Sequence, residues 1–238
     1  MEDIILPQLN SLQEKIIYKL RYNSLCTYNQ LWEKEGDSSK FAYHIKSLEE
    51  KGIVQKTDQG YSLTSKGIKV VDYIFLKSPQ PLVIVLVVPK RDDEILLLTR
   101  SKEPFFGLQE FLPSKVKHGE HLSEAAKDRL QLKLGLTGDL CYKGLESLKT
   151  IEQGEVLMHH LIHIFLADNC KGEAIKGEWH KIDSFNPENP VPHLLAIVDM
   201  VLFKGFSISE GIMIKEGRKY GRYIIQRQER FSTQEKEK

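Results

Sequence analysis

Residues 111–136, FLPSKVKHGEHLSEAAKDRLQLKLGL, gather the side chains best placed to do chemistry. Three carboxylates, Glu120, Glu124 and Asp128, run up to two cations, Arg129 and Lys133. A strand end at Phe111, Leu112 and Pro113 should lead to a Gly119-Glu120 turn. A helix is expected from about residue 121 to 134, stopping at Gly135, the usual place for a left-handed residue. Arg129 and Lys133 are four apart, so they share one helix face, one turn from each other. That pair disfavours a divalent metal and favours a phosphate, because both side chains donate to anionic oxygens. The plainer alternative makes both of them surface charges paired with neighbours such as Glu124 and Asp128.

The stretch resembles the Nudix box: Gly, five residues, Glu, seven residues, then Arg-Glu-apolar-any-Glu-Glu-any-Gly-apolar. Aligned on Glu120 and Gly135, the spacing fits; Leu130 takes the apolar position and Gly135-Leu136 the end. Pro113 and Val116 suit the run-up. The departures fall on the chemistry. Ser114 replaces the first Gly, Asp128-Arg129 the Arg-Glu, and Leu132-Lys133 the Glu-Glu pair. In that family the carboxylates hold magnesium, a hard cation that takes oxygen ligands and activates water against a diphosphate. The resemblance therefore implies a degenerate box over residues 114–136. It would bind a nucleotide diphosphate type of ligand through Arg129, Lys133 and Glu120 and would not cut it. No catalytic residue, metal ligand or cofactor is assigned.

Composition frames the rest. A chain of 238 residues allows one large or two modest domains. An apolar share of 41% suffices for proper cores. The net charge of +1 argues against a strongly basic nucleic-acid scaffold, on average over the chain. Cys26, Cys141 and Cys170 are scattered, with neither metal-ligand spacing nor a disulfide framework, so a cytoplasmic setting is expected. The acidic start, MEDIILPQLN, does not read as a signal peptide. The longest apolar run, residues 82–88, is closed by Pro81 and Pro89 and reads as a buried strand, so no membrane partner is expected.

Residues 1–77 read as a module of their own. Leu9, Leu12, Ile16, Ile17 and Leu20 recur at helical spacing. A short second helix is expected over residues 28–34, with Thr27 as N-cap. A third, capped by Asp37 or Ser38, should run to about Lys51, with Phe41, Ile45 and Leu48 on one stripe. Two short strands, residues 53–56 and 61–64, flank an Asp58-Gln59-Gly60 turn, and a fourth helix starts at Ser65. This order, with the phrase HIKSLEEKGIVQKTDQGYSLTSKG, resembles the winged helix-turn-helix of bacterial and archaeal transcription regulators. The resemblance implies double-stranded DNA as partner, with Ser39, Lys40, Tyr43, His44 and Ser47 on the reading helix and Lys56 and Gln59 on the wing. Acids nearly match bases across the segment, which leaves protein contact as the other use.

Residues 82–204 should form the Nudix-like domain, after a stiff Ser78-Pro79-Gln80-Pro81 linker. Its expected strands cover residues 82–88, 94–99, 139–151 and 156–167, with a strand end at Glu178-Trp179 and a buried helix over residues 190–203. His159 and His163 share a strand face about 13 Å apart and His160 points the opposite way, so they read as packing histidines and not as one metal site. Residues 205–238 form a basic tail, with a hairpin turning near Gly217 to Gly221 and disorder from about Ser232.

The expected fold class is α+β or α/β: a winged helix of three helices plus a β-wing, then a mixed sheet sandwiched by helices. The two modules together resemble Nudix-related transcription regulators, with the domain order reversed. That implies a cytoplasmic homodimer regulating transcription in response to a nucleotide or sugar-nucleotide effector. Two rivals stand beside it: an active Nudix pyrophosphohydrolase with an appended winged helix, and a non-catalytic protein-interaction scaffold.

Overall fold

The structure is a computed structural model that describes residues 8–34, 36–74, 80–217 and 219–232. It divides into two compact units, residues 1–80 and 81–238. The expected linker falls mostly outside the described residues, as does the chain beyond residue 232. No described helix is long and apolar enough to cross a membrane.

The first unit opens with α1 (Ser11–Tyr22), started by an Asn10–Gln13 capping box that satisfies the leading amides. α2 (Tyr28–Trp32) is capped by Thr27 and Gln30 in the same way. It ends two residues before the expected Lys34, because Glu33 and Lys34 both turn to positive φ. α3 (Ser38–Glu50) follows, with the Asp37 carboxylate accepting from the Ser39 amide at 2.8 Å. β1 (Val54–Thr57) and β2 (Gly60–Leu63) close a hairpin over Asp58 and Gln59, and α4 (Ser65–Ile74) completes the unit. Ile16, Ile17 and Leu20 of α1 meet Phe41, Ile45 and Leu48 of α3 in one core with Leu31, Ile53 and Tyr61. Gly60 is required where it stands, since a Cβ there would run into the Cys26 backbone that bridges to Tyr61.

The second unit is built on a mixed sheet. Its strands are β3 (Leu82–Arg91), β4 (Glu94–Thr99), β5 (Gln109–Glu110), β6 (Leu112–Lys115), β7 (Thr137–Glu152), β8 (Glu155–Lys171), β9 (Glu178–Lys181), β10 (Gly205–Glu216) and β11 (Lys219–Ser232). Two helices join them, α5 (Leu122–Leu134) and α6 (Leu194–Leu202). The main path runs β11-β10-β7-β8-β3-β4-β5. β3 is parallel to β8 along one edge. Its other edge is split: residues 84–87 pair with β6 and residues 90–91 with β4.

The run Val85-Leu86-Val87-Val88 explains the layering. Val85 and Val87 pack under α5 with Ala125, Ala126, Leu130 and Leu134. Leu86 and Val88 pack on the opposite side with Leu194, Ile197 and Val201 of α6. A strand covered on both faces reads as continuous apolar sequence. Truncating a fully buried leucine such as Leu130 costs about 2–5 kcal/mol.

Two expectations are corrected here. The helix expected over residues 190–203 begins only at Leu194. The backbone ahead of it is used elsewhere: the Gln109 amide donates to Asn189 O at 2.7 Å and the Val191 amide to Gln109 O at 2.9 Å. The described part of the expected tail, through Ser232, consists of two strands of the sheet. β10 lies parallel to β7, in register from Ser207 opposite Gly144 to Lys215 opposite Glu152, and β11 forms the outer strand of the sheet. The hairpin turns at Gly217, close to the expected place. Gly144 permits the approach, since a Cβ there would meet the Ser207 carbonyl and the Met200 methyl.

Candidate functional site

The site is assembled from the β6–α5 turn, the face of α5 and the loops around β4, β5 and β9. Gly119 supplies the left-handed step of the turn, at φ 78°. Glu120 then closes the turn on itself, accepting from the Lys117 amide through Oε2 at 2.8 Å. Its other oxygen, Oε1, accepts from Arg129 Nη2 at 3.3 Å, while Arg129 Nε donates to Ser114 Oγ at 2.8 Å. The two charged side chains are only 13% and 16% exposed, so this is a shielded pair tying β6, the turn and α5 together. α5 ends at Gly135 with φ 71°, as its sequence demands.

Helical spacing does not announce this arrangement. The sequence points Arg129 toward a ligand, or toward a pair with Glu124 or Asp128. Its guanidinium is instead engaged by Ser114 and Glu120. Glu120 in turn has both oxygens taken, by Arg129 and by a backbone amide. The magnesium that the box resemblance implies does not fit these residues. The first carboxylate is neutralised by Arg129, and Lys133 stands one turn further on. Among the described residues no group of three His, Cys, Asp or Glu side chains is disposed to hold a metal.

Lys133 lies in a basic neighbourhood. Its pKa is lowered, first by partial burial and then by the charges of Arg129, Lys176, Lys102 and Arg100. Glu110 is the counterweight. Burial raises its pKa, although Arg100 Nη1 donates to it at 2.7 Å and Lys133 also acts on it. Of these groups Lys176 also lines an open cleft of about 260 Å³, together with Leu97, Thr99, Gln109, Gly177 and Glu178. The ammonium groups of Lys102, Lys133 and Lys176 have no ion-pair partner among the described residues. Arg100, Lys102, Glu110 and Lys176 escaped the sequence reading because loops far apart in the chain supply them.

The histidines of β8 have partners within the sheet. Ser147 Oγ lies 3.0 Å from His159 Nε2 and Tyr142 Oη 2.8 Å from His163 Nδ1. Burial lowers the pKa of His159, His160 and His163 alike. The sequence also missed a buried polar cluster on the α6 side of the sheet. Tyr223 Oη donates to Glu146 Oε1 at 2.7 Å, and His193 Nδ1 lies 3.5 Å from Glu146 Oε2.

In the first unit the residues assigned to DNA divide into two groups. Ser39, Lys40 and Tyr43 are exposed, Tyr43 by 69%. His44 and Ser47 are half-buried against the start of α1: His44 Nδ1 lies 3.2 Å from Asn10 Nδ2, and Ser47 Oγ accepts from Gln13 Nε2 at 3.2 Å. Lys56 and Gln59 are exposed on the hairpin, with the Lys56 ammonium 5.9 Å from the Tyr61 ring centre. A hollow of about 610 Å³, lined by Asn10, Ser11, Gly36, Lys40 and His44 among others, opens between the starts of α1 and α3.

Comparison with known proteins supports the fold of the second unit. A MutT protein from Bacillus halodurans superposes with a TM-score of 0.50 at 19% identity, over 61% of this chain and 97% of that one. A MutT NUDIX hydrolase from Burkholderia pseudomallei matches at 0.45 and 21%, over 52% and 99% of the two chains. The NUDIX domain of Shewanella oneidensis NrtR, complexed with ADP ribose, matches at 0.45 and 14%, over 58% and 97%. The second unit therefore has a Nudix-like fold, a large mixed sheet with helices on both faces. Residues 5–74 match a family described as Domain of unknown function (DUF7347). No curated protein matches the chain.

Proposed function

We propose that the chain is a ligand-responsive transcription regulator. Its first unit is a winged helix that binds double-stranded DNA. Its Nudix-like unit binds a nucleotide diphosphate type of effector and does not hydrolyse it. The single observation that carries this reading is the replacement of a carboxylate cage by cations. Arg129 cancels Glu120, the charges of Lys102 and Lys176 act on Lys133, and Lys176 lines an open cleft. Such a site stabilises phosphate oxygens and lacks the ligands to polarise them with a metal. The helix and hairpin order of the first unit, with Lys40 and Tyr43 exposed on α3, supports the DNA half. Two copies would double the phosphate contacts of a modestly charged unit, so the regulator is a homodimer on its operator.

The test is a melting-temperature screen of the full chain with a chelator present, using inorganic pyrophosphate, ADP and ADP-ribose as probes. A ligand at about 100 times its dissociation constant adds about 2.7 kcal/mol to the native state, a readily measured shift. In parallel, ADP-ribose is incubated with the protein and magnesium, and no turnover is expected. Hydrolysis abolished by Glu120→Gln would overturn the non-catalytic reading. A chain that none of the probes stabilises would overturn the receptor reading.

A further inference from the structure

At 3.6 residues per turn, the side chains of α3 fall into three lengthwise stripes, each about a third of a turn from the next. Phe41, Ile45 and Leu48 form the first, buried in the core of the unit. His44, Ser47 and the closing residue Lys51 form the second. The chain just ahead of α1, with the first turn of α1, occupies that stripe. His44 Nδ1 lies 3.2 Å from Asn10 Nδ2, Ser47 Oγ accepts from Gln13 Nε2 at 3.2 Å, and Lys51 Nζ donates to Gln8 O at 3.1 Å. Gln13 is itself only 3% exposed, so the contact is built into the packing of the unit.

Ser39, Ala42, Tyr43 and Lys46 form the third stripe. They stand at i, i+3, i+4 and i+7, one face of a helix, and all four are exposed. The residues that the winged-helix resemblance puts on the reading helix therefore straddle two stripes, of which one is already occupied. The free stripe suits a duplex groove in shape and in chemistry. Its central side chain, Ala42, is a single methyl group, so nothing bulky holds the α3 backbone off a groove floor. The major groove is about 12 Å wide and a helix with its side chains about 10–12 Å across, so the fit leaves little room for bulk. Around Ala42 stand two hydroxyls and an ammonium group, which bond phosphates and base edges. An alanine methyl packs on the methyl group of thymine, and a lysine donates to O6 and N7 of guanine.

We infer that Ala42 and Lys46 read bases from the free stripe, Ala42 against a thymine methyl and Lys46 at a guanine edge. Ser39 and Tyr43 flank them, and His44 and Ser47 are positioning residues that fix α3 on α1. This rests on the DNA-binding reading of the first unit given above, and it adds which face of α3 meets the groove.

The experiment begins with the full chain selecting from a random-sequence duplex pool at low salt. Fluorescence anisotropy then compares the selected duplex with a scrambled one for the wild type, Ala42→Leu, Lys46→Gln and His44→Ala, beside the melting of each. Lys46→Gln should lower the preference for the selected duplex about tenfold, the scale of one lost base contact. Ala42→Leu should remove most of the preference, and both variants should melt close to the wild type because their side chains are exposed. His44→Ala should melt lower, because it releases Asn10. Wild-type preference in both Ala42→Leu and Lys46→Gln, or equal losses on the two duplexes, overturns base reading by this stripe while DNA binding stands. A preference lost in His44→Ala with melting unchanged moves the reading to the second stripe and also overturns the assignment. A wild type that binds no duplex overturns the DNA reading, and the stripe falls with it.

Discussion

Arg129 and Glu120 form a shielded ion pair across the β6–α5 turn, with Nη2 3.3 Å from Oε1. The pair does internally what a bound cation would do at a carboxylate: it cancels the charge and fixes the turn on the helix. Arg129→Glu should therefore act twice. In chelator it sets a second carboxylate beside Glu120 and removes a charged hydrogen-bond donor, a loss of about 1.5–3 kcal/mol. With magnesium added, the new carboxylate and Glu120 can share the ion, and the variant should recover part of the lost melting temperature. The wild type should show no such response. Calorimetric melting with and without magnesium checks this, and equal magnesium dependence in both proteins would refute the replacement argument.

The Tyr223–Glu146 bond predicts a second effect. Glu146 is fully buried on β7 and Tyr223 belongs to β11, so their 2.7 Å bond pins the C-terminal hairpin to the body of the sheet. Tyr223→Phe keeps the ring and leaves the carboxylate short of a donor, which should lower stability at neutral pH by about 1–3 kcal/mol. Burial, followed by the Glu146 charge, raises the Tyr223 pKa far above its ordinary value of 10.0. A raised folded-state pKa gives stability that is complete below the ordinary value and is lost as pH rises through the folded one. Stability should thus fall above about pH 10, and less steeply in Tyr223→Phe. Urea unfolding at about pH 7 and about pH 10.5 separates the two contributions, and an unchanged alkaline slope in the variant would exclude Tyr223 as its source.

What the sequence disclosed and what it hid follow one division. Gly135 after an apolar run, Thr27 and Asp37 ahead of helices, and Asp58-Gln59-Gly60 between short strands are local signals, and each element formed close to where they placed it. The Arg129 partners lie 9 and 15 residues away, across a strand and a turn, and no helical periodicity announces them. The parallel pairing of β10 with β7 joins residues as far apart as Glu152 and Lys215, and its enabling residue, Gly144, looks from sequence like any other glycine. The basic neighbourhood of Lys133 is hidden for the same reason: Arg100, Lys102, Lys133 and Lys176 come from three separate segments. His44 and Ser47 are polar at helix positions that read as exposed, yet Asn10 and Gln13 occupy them.

The β8 histidines predict acid sensitivity. Burial lowers the pKa of His159, His160 and His163, and hydroxyl groups bind the rings of His159 and His163. A depressed folded-state pKa in a base means that the unfolded chain takes up protons first as pH falls. The stability contribution is therefore present above the ordinary histidine value of 6.5 and is lost as pH drops through the folded one. The urea midpoint should fall between about pH 7.5 and about pH 5.5, each histidine adding at most about 1.4 kcal/mol per pH unit. His160→Gln, the most enclosed of the three, should flatten that slope most. An identical slope in the variant would place the acid sensitivity elsewhere.

The division of α3 predicts how DNA binding should respond to mutation. Lys40 and Tyr43 are exposed, Tyr43 with its ring edge-on to His44, whereas His44 and Ser47 are held by the start of α1. A lysine that neutralises a phosphate contributes sequence-independent affinity, and its loss lowers the salt dependence of binding by about one unit of slope. Lys40→Ala should therefore weaken binding of duplex DNA about equally across sequences and flatten its salt dependence. Tyr43→Ala should weaken it with little change in that slope, since a phenol carries no charge. Ser47→Ala removes an acceptor from Gln13, so its main effect should be a loss of about 0.5–1.5 kcal/mol of folding stability. Fluorescence anisotropy with duplex fragments at rising salt, read beside the melting of each variant, distinguishes these effects. If Lys40→Ala leaves both affinity and salt slope unchanged while the wild type binds, α3 is not the reading helix. If the wild type binds no duplex at low salt, the first unit is a protein-contact module.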